Sequence, residues 1–211
     1  MSLRELLRDD SADIGAIAAH LDGLSPAERL AETRTLGRSE QRRLYRAAER
    51  SAPLTLDDIV PLTTAARVAV RHHGRNTLPL PSSLKLFEKR FARPEGSGPT
   101  RRLFGYNQSP FLGPIGPGFF VAVPTARDAG VPGWQPEWEG RGGVVVDYFQ
   151  IPDGPVPDGW PPVIPNSRGL QFFVYNHTRD YLRRVSTHVS IGAAYKVEKA
   201  LDHYFMLCRA G

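Results

Sequence analysis

Apolar residues recur along this chain with two different periods. Over residues 1–60 they stand three and four apart: Ile14, Ile17, Ala18 and Leu21 form one stripe, and Leu30, Leu44 and Tyr45 extend a thin apolar face. Capping signals frame these segments. Ser2 stands three before Glu5, Asp10 or Ser11 precedes Ile14, Ser25-Pro26 leads to Glu28, and Ser39 precedes Glu40, with Gly23 and Gly37 as stops. The pattern predicts short helices over 3–8, 14–21, 27–36 and 40–50. The alanine-rich 63–73 stretch, ended by Gly74, predicts another, and Leu84, Phe87 and Phe91 place an amphipathic helix at 84–91.

Beyond a Pro/Gly-rich loop at 93–100 the period changes. Runs at 102–106, 118–123 and 144–150 are apolar on both faces or nearly so, and each is bounded by turn residues. The Gly/Pro cluster from Gly113 to Gly118 reads as a tight entry into the second of these. Over 185–195, Val185, Thr187, Val189 and Ile191 alternate with Ser186, His188, Ser190 and Gly192, which predicts a half-buried strand with 203–209 pairing back on it. Between them, Val174, Thr178, Tyr181, Leu182 and Val185 keep helical spacing. The expected fold is α+β. A helical region, 1–93, packs on a mainly antiparallel sheet of about five strands. That sheet domain, 101–211, carries one helix near 168–184.

Composition narrows the class without naming an activity. The chain is 41% hydrophobic and 23% charged, an ordinary globular balance. It holds no apolar run of about 20 residues, so membrane insertion is not expected. The charged N-terminus does not read as a secretory leader, and a single cysteine, Cys208, leaves no internal disulfide; both point to the cytoplasm. The net charge of +5 divides into +3 over 1–100 and +2 over 101–211, too dispersed for a nucleic-acid surface, so nucleic acid is not an expected partner. Proline and glycine gather after residue 78, in long loops that hold the tryptophans. The 152–165 segment alone has six prolines, which excludes helix or central strand there.

Asp147 is the sharpest chemical signal. It interrupts the run Val144-Val-Val-Asp-Tyr-Phe, where a lone carboxylate costs several kcal/mol unless it is paired. A cation for it is expected from Arg183, Arg184 or His188. Ser186 and His188, two apart on a strand, could stand side by side with Asp147 as an orienting carboxylate, although no Gly-x-Ser-x-Gly elbow supports a nucleophile and a hydrogen-bonded structural histidine is the plainer reading. The spacing of His and Cys predicts no metal site, and Pro114 and Pro117 remove donors that a phosphate loop needs, so no cofactor is expected.

The leading functional expectation is a cytoplasmic protein that binds a small molecule or a protein partner. Its pocket is expected between the sheet and the Pro/Trp-rich loops, with Tyr106, Gly118, Trp134 and Trp160 as ligand-binding residues. One alternative is a hydrolase-type enzyme using Asp147, His188 and Arg183 or Arg184. Another is a structural or assembly protein that docks through its helical N-terminal part. The sequence sets no oligomeric state.

Overall fold

Eight strands organise the molecule: β1 Val70–Asn76, β2 Leu86–Ala92, β3 Leu103–Gln108, β4 Gly118–Pro124, β5 Val144–Asp147, β6 Thr178–Arg184, β7 Val189–Lys196 and β8 Lys199–Arg209. The structure, a computed structural model, describes residues 1–9, 11–96, 101–109, 116–168 and 175–210. Each strand runs antiparallel to the next, and β8 returns to pair with β1, His73 opposite Cys208, so the sheet closes into an up-and-down barrel. An eight-stranded barrel has an interior just wide enough to be filled by side chains or to hold one small ligand.

The α+β class holds, but an open sheet of about five strands does not. Three segments expected as helix are strand. Residues from Val70 onward form β1, the 84–91 stretch becomes a 3-10 turn at Ser82–Lys85 followed by β2, and the described part of the 168–184 segment enters β6. Two of the eight strands thus come from the region expected to be helical. Gly113, Pro114 and residues 169–174 lie outside the described residues.

The misreadings share a cause. The faces of these strands that point into the barrel are not uniformly apolar. β1 sends in His72 and Gly74, β2 sends in Phe87, Lys89 and Phe91, and β6 sends in Asp180 and Leu182. On β1 and β2 the outward residues Arg71, His73, Glu88 and Arg90 are charged or polar and partly exposed, so with His72 and Lys89 facing inward the apolar–polar alternation that marks a half-buried strand is lost from the sequence.

The described α-helices are α1 Leu3–Leu6, α2 Ile14–Asp22, α3 Pro26–Thr33, α4 Arg38–Ala47, α5 Leu56–Ile59 and α6 Glu137–Arg141. Ser2/Glu5 and Ser25/Glu28 form capping boxes as expected, whereas Asp13 caps α2 and Gly37 precedes α4. Ile17, Leu21 and Leu44 bury against Ile191, Met206 and Cys208 on the outer face of β7 and β8. The segment carrying α5 closes one end of the barrel: Leu54, Leu56, Ile59 and Val60 join the lumen cluster, and Ile59 accepts a 3.0 Å hydrogen bond from the ring of His72. No described helix is long and apolar enough to cross a membrane.

Cross-strand pairs of glycine and phenylalanine shape the lumen. Gly74 faces Phe87, Gly105 faces Phe120, and Gly192 faces Phe205. A Cβ on any of these glycines would lie 2.4, 2.2 or 2.2 Å from the ring opposite. The missing side chain lets each ring lie flat across the neighbouring strand, and so a phenyl group occupies the lumen where two side chains would collide.

Candidate functional site

The three rings placed by those glycines surround one cation. Lys89 projects from the middle of β2 into the lumen, between Phe87 and Phe91, and only 2% of its side chain is exposed. Its Nζ lies 5.8 Å from the centroid of Phe87, 5.2 Å from Phe120, 5.0 Å from Phe205 and 5.0 Å from Tyr148, a cation–π enclosure on four sides. It donates to Asp180 Oδ2 at 2.9 Å and to the hydroxyl of Tyr148. Burial pushes the Lys89 ammonium below its ordinary range, and the Asp180 carboxylate restores only part of that. Burial, with Asp180 beside it, lifts the Tyr148 phenol well above its usual value.

This cluster forms the floor of a cavity of about 160 Å³ at the end of the barrel away from α5. The wall is largely apolar and aromatic. Tyr175 stacks on Tyr148 with centroids 5.3 Å apart, and its hydroxyl takes a 2.9 Å hydrogen bond from Asn107 Nδ2. Among the described residues, Asn107 Oδ1 and His203 Nδ1, both of cavity-lining residues, are buried and find no hydrogen-bond partner, a condition that native structures seldom tolerate. The cavity thus combines a charged floor, an aromatic wall and two polar atoms unpartnered among the described residues.

A second charged cluster lies on the outside of the same wall. Asp147 is buried as expected, 1% exposed, but its cation is Arg179, the residue directly opposite on β6. Asp147 also accepts from the Phe149 backbone at 2.9 Å and from Gln150 Nε2 at 3.1 Å. Arg179 continues to Glu198, which Arg141 and the Tyr181 hydroxyl also hold, and its guanidinium lies 4.3 Å from the ring centroid of Phe149 and 4.9 Å from that of Trp138. Burial alone would raise the Glu198 carboxyl, yet the hydrogen bonds from the two arginines outweigh it and hold it below the usual range.

The other expected site residues fall elsewhere. Arg183 donates to the carbonyls of Tyr45, Gly140 and Arg141 and pairs with Glu49; Arg184 pairs with Asp58. Neither meets Asp147, because on a strand rather than a helix their register is shifted along β6. His188 sits past the far end of β6, with Nδ1 3.1 Å from Arg209, and the length of that strand, roughly 16 Å from Arg179 to Arg184, separates it from Asp147. Among the described residues Ser186 Oγ meets only the His188 backbone N–H, at 3.4 Å, so Asp147, His188 and Ser186 are not brought together as a triad.

Tyr106, Trp134 and Trp160 lie on the outer face of the barrel. Trp160 is edge-on to Tyr106 at 4.9 Å, and both tryptophans cover the cluster built on Phe104 and Tyr181. Of the four residues expected to bind a ligand, Gly118 alone reaches the lumen, where an added Cβ would lie 2.6 Å from the Tyr175 ring.

A larger depression, about 400 Å³, opens beside Pro53, Thr125 and Gly142, but its arginines are the already committed Arg183 and Arg184. Among the described residues no three His, Cys, Asp or Glu side chains are grouped to hold a metal ion. Comparison with family models, curated proteins and solved structures finds no match to this chain.

Proposed function

We propose that the protein binds a small, single-ring molecule in the mouth of its barrel, with the ligand's polar group directed at Lys89, Tyr148 and Asp180. One observation carries this reading: a cavity ends on a buried, charged cluster whose neighbours include unsatisfied polar atoms. A cavity near 150 Å³ is known to accommodate a benzene ring, so about 160 Å³ sets the size class. The aromatic walls favour a planar body. The ammonium and the phenol favour an oxygen acceptor, as in a carbonyl or carboxylate, and Asn107 Oδ1 favours a donor nearer the opening.

The pocket in this proposal lies inside the barrel rather than beneath the Pro/Trp-rich loops, which are engaged in covering the outer wall. The assembly alternative has less support. Past Met1, no large apolar side chain of the described helices α1–α5 stands exposed, because those side chains bury against β7, β8 and the closed end. The cytoplasm stays part of the proposal on the strength of the lone, buried cysteine.

Thermal-shift and calorimetric titration with benzoate, benzaldehyde, phenol and benzyl alcohol tests the reading. Binding of at least one with a 1:1 ratio, lost in the double variant Lys89→Met/Asp180→Leu, is the expected result. Binding that survives in the folded double variant places the ligand elsewhere.

A further inference from the structure

The cation at the floor of the cavity is a lysine in a chain that otherwise relies on arginine. Only four of the 27 Lys and Arg residues are lysine, at positions 85, 89, 196 and 199. The other Lys and Arg cations that the described ion pairs hold largely buried are all arginine: Arg179, Arg183, Arg141 and Arg93. A guanidinium does not give up its proton in a protein, whereas a lysine enclosed by apolar rings can. If the position served only to neutralise Asp180, an arginine or an apolar pair would do as well.

Resting on the ligand-binding reading above, we propose that Lys89 is a carbonyl-condensing amine: it forms a protonated imine with a single-ring aldehyde or ketone bound in the barrel mouth. Three features place it for this. Its Nζ borders the cavity and is shielded from bulk water, Asp180 lies at 2.9 Å as a proton acceptor, and Tyr148 offers a hydroxyl beside the same nitrogen. Its lowered affinity for a proton, caused by burial, enlarges the fraction of nucleophilic amine.

The step balances within these residues. The Lys89 ammonium passes a proton to Asp180. The free amine attacks the carbonyl carbon, forming the C–N bond while the C=O π pair moves to oxygen. A proton shifts from nitrogen to that oxygen through Tyr148, giving the carbinolamine. Asp180 returns its proton to the hydroxyl group, the C–O bond breaks and water leaves. What remains is the iminium, still cationic and still paired with the Asp180 carboxylate, so the lumen holds the same charges before and after.

The test uses the intact protein with two probes of one shape: benzaldehyde, which can condense, and benzyl alcohol, which can only bind. Benzaldehyde is added with cyanoborohydride, which reduces an iminium to a stable secondary amine, and the modified residue is located by peptide mass mapping. The expected result is one adduct per chain, on Lys89, formed about tenfold or more faster than on Lys85, Lys196 or Lys199 and suppressed by excess benzyl alcohol. Lys89→Arg, which keeps the cation but removes the condensing amine, should form no lumen adduct. If benzyl alcohol binds in the lumen but Lys89 stays unmodified, the condensation is overturned and the binding reading stands. If benzyl alcohol does not bind and the four lysines label alike, both fall.

Discussion

Asp147 and Asp180 sit on neighbouring strands, β5 and β6, near the same end of the barrel, and each is a buried carboxylate paired with one cation. They differ in which side of the wall they face. Asp147 points outward into a set of three partners that engage both its oxygens: Arg179, the Phe149 amide and Gln150. Arg179 in turn is clamped by Glu198 and two aromatic rings. Asp180 points inward, to Lys89 and Tyr148, and beyond them is open cavity. A closely engaged network holds chain segments together; a charged pair at the floor of a cavity leaves hydrogen-bonding capacity for something else. Burial of a carboxylate is common to both and does not by itself distinguish them.

The outer network should show the largest stability effect. Arg179→Met leaves Asp147 buried without a cation and takes one of two arginines from Glu198, and should cost roughly 3–5 kcal/mol in chemical denaturation. A loss under about 1 kcal/mol would mean that this network is no staple.

The closed end of the barrel extends the comparison through a group kept neutral. Burial among apolar side chains pushes His72 down to about 4 from 6.5. Between those values the unfolded chain binds a proton that the folded chain refuses. Stability is therefore unaffected above pH 6.5 and falls as pH drops toward 4, by about 3 kcal/mol in all. His72→Phe should remove that part of the slope, measured as the difference between the two proteins' denaturation curves over this window. An unchanged slope would show that His72 is reached by water.

A smaller effect should come from the turn that presents Glu198. Val197 and Glu198 both have positive φ, 47° and 61°, between Lys196 of β7 and Lys199 of β8. A β-branched residue is strained there, and Val197→Asn should stabilise by about 1 kcal/mol. Smallest of all should be the effect on stability of the lumen double variant. Lys89→Met/Asp180→Leu replaces the pair with apolar groups and should fold within about 1 kcal/mol of the parent while losing its ligand. A large loss of stability with ligand binding intact would reverse the contrast, making the lumen pair the staple.

How far this was legible in the sequence follows from the same contrast. The N-terminal helices were readable because their caps and stripes are local signals, and β3, β4 and β5 because their runs are apolar. Asp147 was readable as a buried carboxylate because everything around it is apolar. Its partner was not, since a helical reading of residues 168–184 hides Arg179 from it, while the observed strand sets Arg179 directly opposite. Lys89 was missed for a related reason. Leu84, Phe87 and Phe91 happen to fit a helix, but as a strand Phe87, Lys89 and Phe91 share one face, and a lysine between two lumen phenylalanines is the signal that marks the site. The glycines gave no warning, because their meaning depends on the cross-strand register that brings Phe87, Phe120 and Phe205 over them.

The most direct test of the contrast is an NMR titration of protein carrying ¹⁵N-labelled lysine and arginine side chains with benzyl alcohol. With only four lysines the Lys89 Nζ signal can be assigned by substitution. The account predicts that this signal moves and saturates with added ligand while those of Lys85, Lys196, Lys199 and the Arg179 guanidinium stay in place. A Lys89 signal that does not move, or one that moves no more than Arg179, would contradict it.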